Sequence, residues 1–265
     1  MMTAPDSWLP RVPLVTAERY VDYPRILNHI LDRRQAAEKA ALPTVKRLAY
    51  VTVNQTGSHA GVVDQLAARL ERSLMATARF GYREARFELR RLRRNQPITV
   101  TAAYQIPDAG KHSLVALGGL DAIQRLVRNR ARDAASAAAT AAAAAAVSRP
   151  YRTSELVSAP VKVAAAAAAA TRIIHNRILE LVGETLNLGR AAGVLTLPGP
   201  PEFAMRSEQL DANTCDPCDQ LHGEIVQIDT PEYWDLMPPQ GCDGGGRCRG
   251  IYVYGDSADE MQQAA

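Results

Sequence analysis

The stretch Val63–Arg94, VDQLAARLERSLMATARFGYREARFELRRLRR, carries the clearest structural signal in the chain. Apolar or small residues recur along it every three or four positions, at 63, 66, 70, 74, 78, 82, 85, 89 and 92. This spacing places them on one face of an α-helix. Ser58, a residue type that caps helix N-termini, precedes the stretch. The pattern therefore predicts a helix of roughly 50 Å at 1.5 Å per residue.

The other face of this helix is dense in arginine. The candidate binding residues lie in its second half and are Arg83, Arg86, Arg90, Arg91, Arg93 and Arg94, preceded by Arg79. Glu84 and Glu88 interrupt the series. One interpretation is a solvated face stabilised by ion pairs four residues apart. The other is a surface that binds nucleic-acid phosphates or a protein partner.

Alanine dominates two later stretches. Twelve of the residues in 131–147 are alanine, and 164–170 is an uninterrupted run. Alanine has the highest helix propensity and keeps no bulky side chain between packed helices. We expect a helix from about Asp121 to before Pro150, and another from about Ser158 that stops at Gly189. A flexible low-complexity linker is the alternative, although Gly, Ser and Pro are scarce in both runs.

The N-terminal part gives weaker signals. Residues 1–57 combine several prolines with a short helical pattern at 26–41 and read as an arm with peripheral elements. The β-branched run at 48–53 predicts a strand, as does 98–104. The start MMTAPDSWLP lacks the basic and apolar regions of a secretory signal, and no long apolar run follows. We expect a soluble protein with no membrane partner.

Charge is segregated along the chain. The net charge of +3 hides a net −10 in residues 202–265 and a net +13 in residues 1–201. The proposed organisation is a basic helical body at 58–192, a linker at 193–210, an acidic four-cysteine module at 211–254 and a disordered tail at 255–265. The expected fold class is mainly α, with long helices in an Ala-rich body and a small α+β, cysteine-stapled C-terminal module. Opposite charges at the two ends favour different partners.

All four cysteines lie in the acidic module: Cys215 and Cys218 in a C-x2-C pair, then Cys242 and Cys248. Thiolates at this spacing suit a tetrahedral Zn²⁺ site, and we expect these four residues to be the metal ligands. Disulfides formed in a mature particle and free thiols are the alternatives. His222 could replace one cysteine, although a lone histidine in a polar turn is more often a surface group. The net negative charge disfavours nucleic-acid binding by this module.

Two runs in this module, MRSEQLDANTCDPCDQLHGEIVQID at 205–229 and MPPQGCDGGGRCRGIYVY at 237–254, resemble a known signature. It is the C-terminal signature of the phage Mu F-like minor head proteins, the SPP1-type head morphogenesis family. The matching positions are Asp211, Thr214, Cys215, Cys218, Leu221, Gly223, Pro238, Pro239, Cys248 and Arg249. The resemblance covers about residues 170–254. The family usually closes with His-Pro-x-Cys-Arg-Cys, whereas here no histidine precedes Cys248 and Gly250 takes the last cysteine position.

This resemblance implies a virion protein, a low-copy minor capsid component that associates with the portal on the inside of the head. The implied partners are the portal protein, the major capsid or scaffolding protein and packaged double-stranded DNA bound without sequence preference. The chain would be in the host cytoplasm during assembly. No common hydrolase, phosphate-loop or metalloprotease motif occurs, so we expect no enzymatic activity. The alternative function is a zinc-ribbon nucleic-acid-binding regulator.

Overall fold

A computed structural model describes residues 21–94, 119–147, 158–208, 214–239, 242–243 and 249–262. Four long helices come first: α1 Tyr23–Asn54, α2 His59–Arg94, α3 Leu120–Val147 and α4 Ala159–Leu195. Short elements follow: β1 Phe203–Ser207, α5 Asp216–Leu221, β2 Ile225–Gln227, α6 Pro231–Asp235, β3 Ile251–Gly255 and α7 Ala258–Gln262. The expected fold class, mainly α with a small α+β C-terminal part, is confirmed.

The best-predicted helices are α2 and α3. The backbone N–H of Gly61 donates to Ser58 Oγ at 3.0 Å, so Ser58 caps α2 as its sequence position suggested. Helix α3 begins one residue before Asp121. The alanine runs at 131–147 and 164–170 are helical throughout, so the flexible-linker interpretation is wrong.

Several local expectations are wrong. The run at 48–53 is not a strand but the last part of α1, which continues through Pro43. Its residues Leu48, Ala49 and Val51 are buried, and they continue a helical series of buried positions that includes Val45. Packing on a helical face overrides the β-propensity of the run. The strand expected at 98–104 lies outside the described residues.

The chain divides into two compact units. One of them contains residues 30–76 and 124–182, which are segments of all four long helices. Its core is built from aliphatic residues and alanine, including Leu66, Leu70, Ala138, Ala142 and Ile174. The alanine runs therefore serve as close-packing surfaces.

The other unit contains residues 77–123 and 183–265 together with the N-terminal segment up to His29. Here α2 and α4 approach closely through glycine. A Cβ added at Gly189 would meet the backbone of Ala78, and one added at Gly193 would lie 2.5 Å from the carbonyl oxygen of Tyr82. Helix α4 therefore does not stop at Gly189 as expected, because that glycine provides a contact surface inside the helix.

The same unit contains a three-stranded antiparallel sheet in the order β2-β1-β3. Because β1 is its central strand, the stretch 193–210 is not a linker: it contains the end of α4 and this strand. The tail expected from 255 onward also differs, since α7 is ordered to Gln262 and Met261 is buried. Arg93 of α2 holds this end of the chain through two hydrogen bonds to Asp256, at 2.9 and 3.1 Å.

The glycine contact between α2 and α4 predicts opposite effects for two glycine-to-alanine changes in α4. Gly189→Ala should destabilise the protein by about 1–3 kcal/mol, because its methyl group collides with backbone that cannot rotate away. Gly183→Ala is the matched control. Nothing lies within 4 Å of its added Cβ, so it should stabilise the helix by up to about 1 kcal/mol. Urea unfolding followed by circular dichroism measures both, and equal stabilities for the two variants would contradict the described packing.

Candidate metal centre

The C-x2-C pair lies at the start of α5. Cys215 is the N-cap residue of this helix, and Cys218 lies in its first turn with Pro217 between them. Proline is favoured at the first positions of a helix because its φ is already helical and it needs no N–H partner there. The short helix thus brings both sulfurs to one end. Cys218 is fully buried, and Cys215 is half-buried.

Cys242 reaches the same place from a turn. Its backbone N–H donates to the carbonyl oxygen of Pro239 at 3.1 Å. The Sγ atoms of Cys215 and Cys242 are 3.9 Å apart, and those of Cys215, Cys218 and Cys242 all lie within 4.8 Å of one another. A tetrahedral site with Zn–S bonds of about 2.3 Å places neighbouring sulfurs roughly 3.8 Å apart. The three cysteines therefore form a group that can hold a metal ion.

The other two candidate ligands are Cys248 and His222. Cys248, the fourth expected ligand, lies outside the described residues. His222 is engaged elsewhere, because its Nδ1 accepts a hydrogen bond from the backbone N–H of Glu208 at 3.1 Å. Among the described residues, the cluster of potential metal ligands comprises the three cysteines and does not include His222.

A buried ion pair supports the sulfur of Cys218. The fully buried Arg206 of β1 donates from Nε to Glu208 Oε1 at 2.7 Å, from Nη1 to the carbonyl oxygen of Leu236 at 3.0 Å and from Nη2 to Cys218 Sγ at 3.5 Å. Burial raises the pKa of Glu208, and the Arg206 guanidinium opposes this effect. Hydrogen bonds to a ligand sulfur orient it and disperse its negative charge, as supporting groups around metal ligands generally do.

The arrangement also accounts for Gly250. A Cβ at this position would collide with the carboxylate of Glu208. The space for a side chain at 250 is therefore occupied by the Glu208 carboxylate.

The candidate arginines of α2 separate into two groups. Arg86 turns inward, where its Nη1 donates to Tyr82 Oη at 2.9 Å and lies 3.3 Å from Thr196 Oγ1, and Arg93 pairs with Asp256. The structure therefore gives these two arginines internal partners. The remaining candidates are exposed and are Arg83, Arg90, Arg91 and Arg94.

Arg206 and Glu208 were missed as site residues from the sequence. The available signal was that Arg206 is one of only three basic residues in the acidic segment 202–265, and it lies within an apolar strand. A charged residue in such a strand is buried only when it is paired. Glu208 is the nearest acidic residue in the sequence, two positions away, which is the spacing that puts two side chains on one face of a strand.

No protein-family model, no curated protein and no solved structure matches the chain. None of the helices in the described ranges combines the length and the apolar character needed to cross a lipid bilayer.

Removing one member of the buried ion pair should be costly. Arg206→Met leaves the Glu208 carboxylate buried without its charge partner. We therefore expect the free energy of unfolding to fall by about 3–5 kcal/mol. The double variant Arg206→Met, Glu208→Gln removes both charges and should recover most of that loss. Urea unfolding in the presence of a chelator, followed by tryptophan fluorescence, measures this. A single variant as stable as the double variant would show that the pair is not coupled.

Proposed function

We propose that this chain is a non-enzymatic structural protein of a phage head, of the Mu F-like, SPP1-type head morphogenesis kind. In this role it is a minor capsid protein associated with the portal on the inside of the head. The observation that carries the proposal is the convergence of Cys215, Cys218 and Cys242 within the segment that resembles the family signature.

The proposed metal is Zn²⁺, held by these three cysteines and by Cys248 as the fourth ligand. A set of soft thiolate ligands in tetrahedral arrangement favours zinc over the hard cations that bind oxygen. When bound, the ion supplies a cross-link between the start of α5 and the turn that follows Pro239. Arg206 positions Cys218 in this site through its hydrogen bond to the sulfur.

A metal cross-link suits the size of this module. Its sheet is small, with strands of five, three and five residues, and small protein parts are commonly stabilised by a structural metal. A set of four thiolates leaves no open position for water or substrate, as is typical of structural zinc sites. This favours a structural role over an enzymatic one.

Charge supports the proposed division of partners. The acidic segment 202–265 repels nucleic-acid phosphates and suits docking to protein surfaces of the portal, the major capsid protein or a scaffolding protein. A zinc-ribbon regulator that binds nucleic acid through its metal module would need the opposite charge there. The structural role is therefore the better account of the same residues.

The metal assignment predicts one Zn²⁺ per chain in protein purified without chelator. Cys215→Ser should lose most of the bound zinc, because it removes one of the three converging ligands. The control His222→Gln should retain it, since the histidine accepts a hydrogen bond from Glu208 instead. Elemental analysis of the three proteins measures the metal content. Wild-type protein with no metal and two intact disulfides would refute the zinc site.

The proposed location predicts that the protein remains in purified virions at low copy number. It should survive protease treatment of intact heads and be digested after the heads are opened, because it lies inside the shell. Quantitative mass spectrometry of treated and untreated particles measures this, with an exposed tail protein as the digestion control. Absence from virions, or digestion from outside, would contradict the proposal even if the zinc site is present.

A further inference from the structure

The exposed surface of α2 between 77 and 94 has an unusual composition. The exposed residues there are Arg79, Arg83, Phe87, Arg90, Arg91 and Arg94, so every one except Phe87 is an arginine. Their spacing of three, four or one residues puts them along one side of the helix. From 79 to 94 the helix rises about 22 Å, which is roughly two-thirds of a turn of duplex DNA at ~34 Å per turn.

The carboxylates of this helical segment pair with arginines of other elements. Its two acidic residues are both buried: Glu84 is 5% exposed and Glu88 is 8% exposed. Glu84 pairs with Arg25 at 3.0 Å, and Glu88 forms a two-pronged pair with Arg190. The sequence spacing suggested ion pairs four residues apart on a solvated face. In the structure, both carboxylates point inward, whereas Arg79, Arg83, Arg90, Arg91 and Arg94 are exposed.

Stabilisation of the helix C-terminus does not account for all of the exposed arginines. Basic residues in the last turn interact favourably with the partial negative charge at a helix C-terminus, and this explains Arg91 and Arg94. The effect is confined to that turn. Arg79, Arg83 and Arg90 lie further from the end, and no carboxylate within this segment of α2 faces them.

We infer that this surface, hereafter the arginine face (Arg79, Arg83, Arg90, Arg91 and Arg94), binds the phosphate backbone of duplex nucleic acid. Guanidinium groups match phosphate oxygens with two parallel hydrogen bonds. A protein-binding surface of this length needs an apolar centre, and Phe87 is the only exposed large apolar residue between 77 and 94. Duplex phosphates are thus favoured over an acidic protein. The inference deepens the proposed function by assigning the contact with duplex DNA to this face, and its test can fail while the zinc site and the virion location stand.

The affinity of this surface for a duplex should not depend on base sequence and should fall steeply as the salt concentration rises. The test uses the full-length protein and two labelled duplexes of about 20 bp with unrelated sequences, between about 50 and 200 mM KCl. Arg79→Gln, Arg83→Gln and Arg90→Gln together should lower the slope of log K against log salt by about 0.9 per arginine, or roughly 2.7 in all. Fluorescence anisotropy gives the slopes, and circular dichroism checks that the helices are intact.

The matched control removes the same charge elsewhere. Arg72, Arg125 and Arg172 are exposed and lie outside the 77–94 segment, and their combined change to Gln should leave the slope within about 1 of wild type. An equal fall in both triple variants would show that overall charge, not this face, holds the duplex. Tighter binding of polyglutamate than of the duplex, compared at matched charge, would assign the face to an acidic protein. Either result, or no duplex binding at the lowest salt, would overturn the inference.

Discussion

The buried pair of Arg190 and Glu88 is the interaction on which the C-terminal unit depends. Arg190 is fully buried, and it donates to both oxygens of Glu88 and, from two nitrogens, to the carbonyl oxygen of Tyr252 at 3.0 and 3.2 Å. Burial alone would lower the pKa of Arg190, but Glu88 raises it above its ordinary value, so the guanidinium stays charged. One side chain therefore joins α4 to α2 and to β3. Asn187, one turn earlier, pairs with the main chain of Gly250 and Tyr252 and covers this edge strand.

This pair also determines which side chains of α2 are exposed to solvent. For Glu88 to reach Arg190, the side of α2 that carries the carboxylates must face α4, and the glycines of α4 let the two backbones approach. Arg79, Arg83 and Arg90 are nine, five and two positions from Glu88, which at 3.6 residues per turn places them on about the opposite side of the helix, so they face outward. A packing requirement inside the unit thus produces a uniformly positive surface outside it. The proposed nucleic-acid contact therefore depends on the orientation that this packing gives to α2.

Sequence reasoning succeeded where structure is local. Helical periodicity, the Ser58 cap and alanine content gave α2 and α3 nearly to the residue, and the C-x2-C spacing identified Cys215 and Cys218. It failed where a distant partner decides. Gly189 is a residue type that often ends helices, but here it lies inside α4, where the backbone of α2 packs directly against it. The run at 48–53 has strand propensity but is buried as part of a helix. The Arg206–Glu208 pair acquires its role only when α5 packs beside β1.

The negative charge that the proposed metal centre would carry explains why a buried arginine suits this position. Zn²⁺ with three or four thiolates carries a net charge of about −1 or −2, in a segment that is already strongly acidic. Buried negative charge is costly unless it is paired or hydrogen-bonded. Arg206 places a positive charge 3.5 Å from the Cys218 sulfur, and Glu208 fixes the orientation of the guanidinium. An uncharged hydrogen-bond donor at the same position would orient the sulfur but would not offset its charge, so the chemistry of the site favours arginine in this strand.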